Sequence, residues 1–505
     1  MSETLQATLN RFMAYNRTMK SYDEALAVMY WDLRTGAPRK GVEQRSEVIG
    51  VLSTELFKMS VSSEMKQFLD ILSAPEHASA LNEIQRKLVH ECRREYERSS
   101  RIPPEKHQAY VVLTSKAESI WEDAKEHNDW ALFQPYLEQI VAMNLEFIEL
   151  WGYEGHKYNT LLDLYEPGMT VEKLDAVFGE LRAKLVPLTE AIRESAHAPD
   201  TSFLQGDFSV DKQKQFSLAI LREMGYEFDA GRLDESVHPF ATGLSPGDVR
   251  ITTRYLRDDV TSALFGTIHE GGHALYEQNI ASELVGTLLC TGTSMGIHES
   301  QSRFWENLIG RSRAFWHRYY GELQKLYPES FSNVSAESFY RAVNEVKPSL
   351  IRIEADELTY NLHIMIRYEI EKGLFSGEIA VKDLPGVWRD KYREYLGVVP
   401  ESEADGVLQD VHWSGGSFGY FPSYALGNMY AAQIMHRLRQ ELPDLDAQIG
   451  AGNLLPIKEW LTERIYRFGK LMTPAEIIER VTGEELNPAY LVKYFEGKYT
   501  DIYSL

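Results

Sequence analysis

Cysteine is nearly absent from this chain of 505 residues: only Cys92 and Cys290 occur, far apart and outside any metal-type pair. No disulfide framework can be drawn from them, and both read as small buried hydrophobes of a reducing compartment. Long apolar runs are missing as well. Nothing approaches the roughly 18 residues of a membrane span. The opening Met1-Ser-Glu-Thr-Leu-Gln has neither a basic nor an apolar leader region, so a cytoplasmic protein is expected. Positive charge is also scarce: 53 Lys and Arg face 75 Asp and Glu, a formal net charge of -22. That balance argues against nucleic acid or an anionic membrane as partner. Its first consequence is solubility, and a negative field would also favour basic over acidic peptides.

What is present is ordinary for a globular protein, with 44% hydrophobic and 25% charged residues. No fixed-period repeat or low-complexity tract appears. The first two hundred residues read as successive amphipathic helices. Leu5, Leu9, Phe12 and Met13 form one apolar stripe, Leu81 to Tyr96 a second and Phe133 to Leu150 a third. Pro103-Pro104 and Glu166-Pro167-Gly168 mark turns between them. Between about His197 and Arg257, Pro and Gly break the helical period, and the β-branched alternation of Val249 to Leu256 predicts a strand. Helices then resume, except for a Gly-, Ser- and aromatic-rich loop predicted from Trp413 to Gly427. With no strand-helix alternation and no isolating linker, the expectation is a mainly α, cleft-containing body with a small sheet near its centre. It is a single domain over 1–505, in which residues 1–200 are helical, residues 201–430 carry the active site and residues 431–505 are helical again.

His269-Glu270-Gly271-Gly272-His273 is the most informative stretch. On a helix, residues at i and i+4 share a face, so both imidazoles can meet one cation while Glu270 sits beside the water it activates. Ala263, Leu264, Ile268, Ala274 and Leu275 make this a buried helix. Two glycines in a helix interior cost about 1 kcal/mol each against alanine, so close approach of a substrate or a neighbouring backbone is expected there. A catalytic zinc needs a third protein ligand and one open position. Glu299 in His298-Glu299-Ser300-Gln301, on a helix running to about Arg313, is the leading candidate, and His298 is its local rival.

Downstream, His412 and the aromatic loop carrying Tyr420, Phe421 and Tyr424 offer neutral donors for an oxyanion. Arg250 and Arg352 stand among apolar neighbours and need anionic partners. Those partners are either a nearby Asp or Glu or the carboxylate of a substrate.

The segments DVRIT, HEGGH, HESQ, IRIEAD and GVLQDVHW, in that order, resemble the motif series of the carboxypeptidase Taq family of metallocarboxypeptidases. His238-Pro239-Phe240 matches a further short motif, and the resemblance runs from about Val237 to Gly427. It implies a nearly all-helical fold similar to the angiotensin-converting-enzyme and neurolysin group, usually a homodimer. It implies His269, His273 and Glu299 as ligands, Glu270 as general base, and zinc replaceable by cobalt. It also implies removal of single C-terminal residues from peptides with broad specificity, poor on proline. In this reading His412 and Tyr420 are catalytic donors, while Arg352, Arg250, Tyr424 and His238 are substrate contacts. An oligopeptidase or dipeptidyl carboxypeptidase with the same metal chemistry is the nearest rival, and a zinc-bearing peptide-binding scaffold without turnover the more distant one.

Overall fold

The computed structural model describes residues 3–505. Helices form where the apolar stripes predict them, with ends set by local chemistry. Leu5, Leu9 and Phe12 are buried along the first helix, Glu3–Thr35. The second predicted stripe becomes Glu83–Ser100, because Asn82 takes the capping position and exchanges hydrogen bonds with Gln85 in both directions. The third becomes Trp130–Trp151, capped by Asp129. Pro104 opens Pro104–His127 at a position where its missing N–H costs nothing. Buried side chains from Leu5 to Tyr503 form one continuous hydrophobic cluster, so the three stretches of sequence share a core.

Three short strands precede the central helix: β1 Gly231–Glu235, β2 Ala241–Ser245 and β3 Asp248–Thr253. Their order is β1-β3-β2, with β1 parallel and β2 antiparallel to β3. The strand ends at Thr253 rather than Leu256. From there the chain turns so that Asp259 can accept from the amides of Thr261 and Ser262, capping the helix Val260–Gln278 that carries HEGGH. A second central helix, Met295–Arg303, continues as a π-helical turn through Phe304–Gly310, close to the predicted end. The predicted loop 413–427 is shorter than expected, because Pro422 starts the helix Pro422–Glu441. Among the described residues no helix is long and apolar enough to cross a membrane.

Candidate metal centre

The two glycines of HEGGH answer to neighbouring elements. A Cβ on Gly272 would lie 2.6 Å from the Gln301 carbonyl oxygen and 2.7 Å from Ser302 Cα, so the HEGGH and HESQ helices cross in backbone contact there. A Cβ on Gly271 would press on Leu221 of the helix Val210–Met224. On the far side of the HESQ helix, a Cβ on Gly427 would meet Glu299 Cγ at 2.7 Å. Glu299 is thus held between two helices, and neighbouring backbone is what requires Gly272 to be small.

This crossing brings together His269, His273 and Glu299, with one ligand atom from each lying within 4.8 Å of the others. Glu299 Oε2 is 3.7 Å from His269 Nε2 and 3.4 Å from His273 Nε2. The opposite ring nitrogens are occupied. His269 Nδ1 is 2.9 Å from Glu306 Oε2, a carboxylate that can only accept, so Nδ1 carries the proton and the Nε2 lone pair faces Glu299. His273 Nδ1 is 2.6 Å from His298 Nδ1, and His298 Nε2 is 2.9 Å from Glu277 Oε1. Read from the Glu277 end, His298 donates from Nε2, accepts at Nδ1, and leaves His273 with a free Nε2. His298 therefore supports His273 from behind and stays outside the group of three. Two bare imidazole nitrogens and a carboxylate oxygen converging on one point are a donor set that fits a divalent cation.

Charges are distributed to hold that set. Arg303 Nε donates to Glu299 Oε1 at 2.8 Å and its Nη1 to Glu306 Oε2 at 3.2 Å, while Arg311 Nη2 donates to Glu306 Oε1 at 3.3 Å. Against the cost of burial, Arg303 holds the carboxyls of Glu299 and Glu306 well below their usual range. Burial pushes His273 down to about 4. In His269 burial acts the same way, but Glu299 and Glu306 outweigh it and the net shift is upward. Glu277, Arg303 and Glu306 went unrecognised in the sequence. Glu277 lies four residues after His273, and Glu306 lies seven after Glu299, so each sits on the face of its ligand.

The three residues form one wall of a cavity of about 470 Å³, also lined by Glu270, Phe240, Gly243, Tyr420, Ser423 and Tyr424. Burial pushes the Glu270 carboxyl up to about 7. Tyr420 and Tyr424 belong to the lining, whereas His412 stands behind them with Nε2 3.3 Å from the Tyr424 hydroxyl. Burial also drives His412 down to about 4, which leaves it neutral. The expected cluster is present: the His412 ring lies 4.4 Å from Phe421 and 5.4 Å from Tyr420.

The arginines both find protein partners. Arg352 donates from Nε and Nη2 to Asp410 Oδ1 and from Nη1 to the Tyr360 hydroxyl, and its guanidinium lies 5.1 Å from the Tyr424 ring. Arg250 forks onto Asp248 and lies over Trp31, away from the cavity lining. His238 is exposed and also outside the lining, although Pro239 and Phe240 belong to it. Cys92 and Cys290 are both buried free thiols.

The chain is 53% identical to Carboxypeptidase 1 of Bacillus subtilis over 97% of both chains. It is 41% identical to Thermostable carboxypeptidase 1 of Thermus thermophilus, over 99% of this chain and 100% of that one. The crystal structure of the M32 carboxypeptidase from Deinococcus radiodurans superposes with a TM-score of 0.95 at 38% identity, covering 99% of this chain and 100% of that one. The model of the carboxypeptidase Taq (M32) metallopeptidases matches residues 11–499. This chain belongs to that family and is a metallocarboxypeptidase.

Proposed function

We propose that the protein is a zinc-dependent carboxypeptidase that releases single C-terminal residues from peptides with broad specificity, using Glu270 as general base. The observation that carries this reading is the convergence of His269 Nε2, His273 Nε2 and Glu299 Oε2 in one cavity wall, with Glu270 beside them. A divalent cation held by these residues would supply Lewis acidity, able to lower the pKa of a water toward about 7 and to polarise a carbonyl. Two imidazoles and a carboxylate suit zinc, and cobalt can take the same donors. Glu270 accepts the proton of the attacking water and returns it to the departing amine.

The Tyr420 and Tyr424 hydroxyls are the lining donors that would meet the oxyanion, and neutral His412 supports Tyr424 from behind. Arg352, stacked against Tyr424, is the cation assigned to the free terminal carboxylate, acting with the Tyr360 hydroxyl. Arg250, which lies over Trp31 rather than against a lining tyrosine, is left out of that contact. Two buried free thiols fit the reducing cytoplasm, and the working form is taken to be a homodimer.

Product ladders test this reading. Digestion of a varied peptide panel should yield single-residue steps, stop with a chelator, and resume with zinc or cobalt. Internal fragments or dipeptide steps would favour the oligopeptidase and dipeptidyl alternatives instead. A C-terminal amide should be a far poorer substrate than the free acid, and equal cleavage of the two would refute exopeptidase action.

A further inference from the structure

Glu371 lies on the helix Thr359–Ser376 with no exposed surface, and nothing in the chemistry above uses it. Its Oε1 accepts from Trp413 Nε1 at 2.7 Å. Its Oε2 accepts from the Gly419 amide at 2.8 Å and from the Tyr158 hydroxyl. Trp413 directly follows His412, and Gly419 directly precedes Tyr420. One carboxylate therefore grips both ends of the loop that joins His412 to Tyr420.

The composition of this grip is unusual. Among the described residues no cation bonds to Glu371. Arg367, one turn earlier on the same helix, is taken by Asp410, Gln409 and the His363 carbonyl. Burial pushes the Glu371 carboxyl up to about 7, with Tyr158, Gly419, Trp413 and Arg367 pulling the other way. A buried carboxylate among neutral donors is costly, and a fold that needed only filling would place a hydrophobe there. Glutamate supplies two acceptor oxygens at one point, whereas glutamine supplies one acceptor and a donor.

Gly419 closes the loop at φ +90°, and a Cβ there would lie 2.5 Å from the Leu161 carbonyl oxygen. The loop is thus seated against the short helix Asn159–Tyr165. Tyr158, just before that helix, reaches Glu371, and Tyr165 at its end packs edge-on against Tyr420 at 5.1 Å.

We propose that Glu371 is a positioning residue of the peptidase reaction. Its carboxylate sets the placement of loop 412–420 and thereby of the Tyr420 and Tyr424 hydroxyls in the cavity, without touching substrate. This rests on the reading of those tyrosines as donors. Tyr158 makes the N-terminal helices part of the same device.

A double-mutant cycle on the metal-loaded enzyme tests it. Glu371→Gln should lower kcat on the order of 10- to 100-fold, the effect of misplacing a group by about an ångström. KM and metal affinity, measured by chelator competition, should stay within about threefold. Tyr158→Phe, which keeps the carboxylate, should move kcat the same way by less. In a Tyr424→Phe or Tyr420→Phe background the effect of Glu371→Gln should shrink, because placing a donor that is gone is worth nothing. An undiminished effect in both backgrounds, or unchanged kcat in Glu371→Gln, would overturn the proposal. Should Glu371→Gln fail to fold, Tyr158→Phe carries the same cycle under the same criteria. Unchanged kcat in both tyrosine variants would identify the donor reading as the failed premise and remove this inference with it.

Discussion

On the metal side of the cavity, Glu299, Arg303, Glu306 and Arg311 form an alternating chain of buried carboxylates and half-buried guanidiniums, each carboxylate answered by a guanidinium. Behind the loop 412–420, Glu371 accepts from a tyrosine hydroxyl, an indole N–H and a backbone amide. A metal site must keep its ligands in place against the strong pull of a cation, and paired ions resist displacement because each would leave a buried charge alone. A loop of hydroxyl donors must instead be aimed. Short, directional hydrogen bonds to a single acceptor group do that. Glu166 repeats the second pattern at the start of the HESQ helix, accepting from the Gly296 amide at 3.0 Å and the Tyr430 hydroxyl at 2.8 Å.

The contrast can be broken or sharpened by substitution. Glu270→Gln should lose turnover by roughly 10²- to 10⁴-fold while binding metal as the parent does. Single-turnover kinetics beside equilibrium dialysis check this, and a fully active variant would remove Glu270 from its role. Arg303→Met should cost about 3–5 kcal/mol in denaturant unfolding of the apo-protein, because Glu299 and Glu306 would lose their shared cation. A cost below about 1 kcal/mol would show that the ionic chain is not what holds the ligands.

Tyr424→Phe should lower kcat by about 10²- to 10³-fold with little change in stability, and the same steady-state assay on Tyr420→Phe ranks the two donors.

A different kind of effect concerns pH, and its test reads the small difference that one carboxyl makes. Burial raises both Glu166 and Glu371 from 4.5 to about 7. Between those limits the folded chain keeps protons that the unfolded chain has released. Stability should therefore fall as pH rises through that window, by on the order of 3 kcal/mol per carboxyl. Glu166→Gln removes one such contribution, so its melting temperature should drop less than the parent's between pH 5 and pH 8. Parallel pH dependence in the two proteins would show that Glu166 does not titrate there.

Several site residues were legible in the chain for a local reason. His269, Glu270 and His273 announce themselves because helical spacing alone puts two imidazoles on one face. Glu299 was legible through its motif, and Tyr420 and Tyr424 through aromatic clustering around a glycine-rich loop. Arg352 and Arg250 were visible as buried or half-buried cations, yet whether each answers a protein carboxylate or a substrate was left open. Arg352 finds Asp410, 58 residues away, and Arg250 finds Asp248 two residues before it. Sequence proximity cannot rank those partners. The end of the strand at Thr253 and the helix start at Pro422 were displaced for similarly local reasons, a turn toward a capping aspartate and a proline that opens a helix.

The sequence by itself determined the helical character, the small sheet before the HEGGH helix, and the pairing of His269 and His273 on one helix face, since each follows from periodicity over a few turns. Only the tertiary structure decided that His298 backs His273 rather than joining the ligands, that Gly272 is small to admit the HESQ helix, and that Glu371 anchors a loop 42 residues away. These depend on which faces meet when separate helices pack, and burial makes each such contact strong.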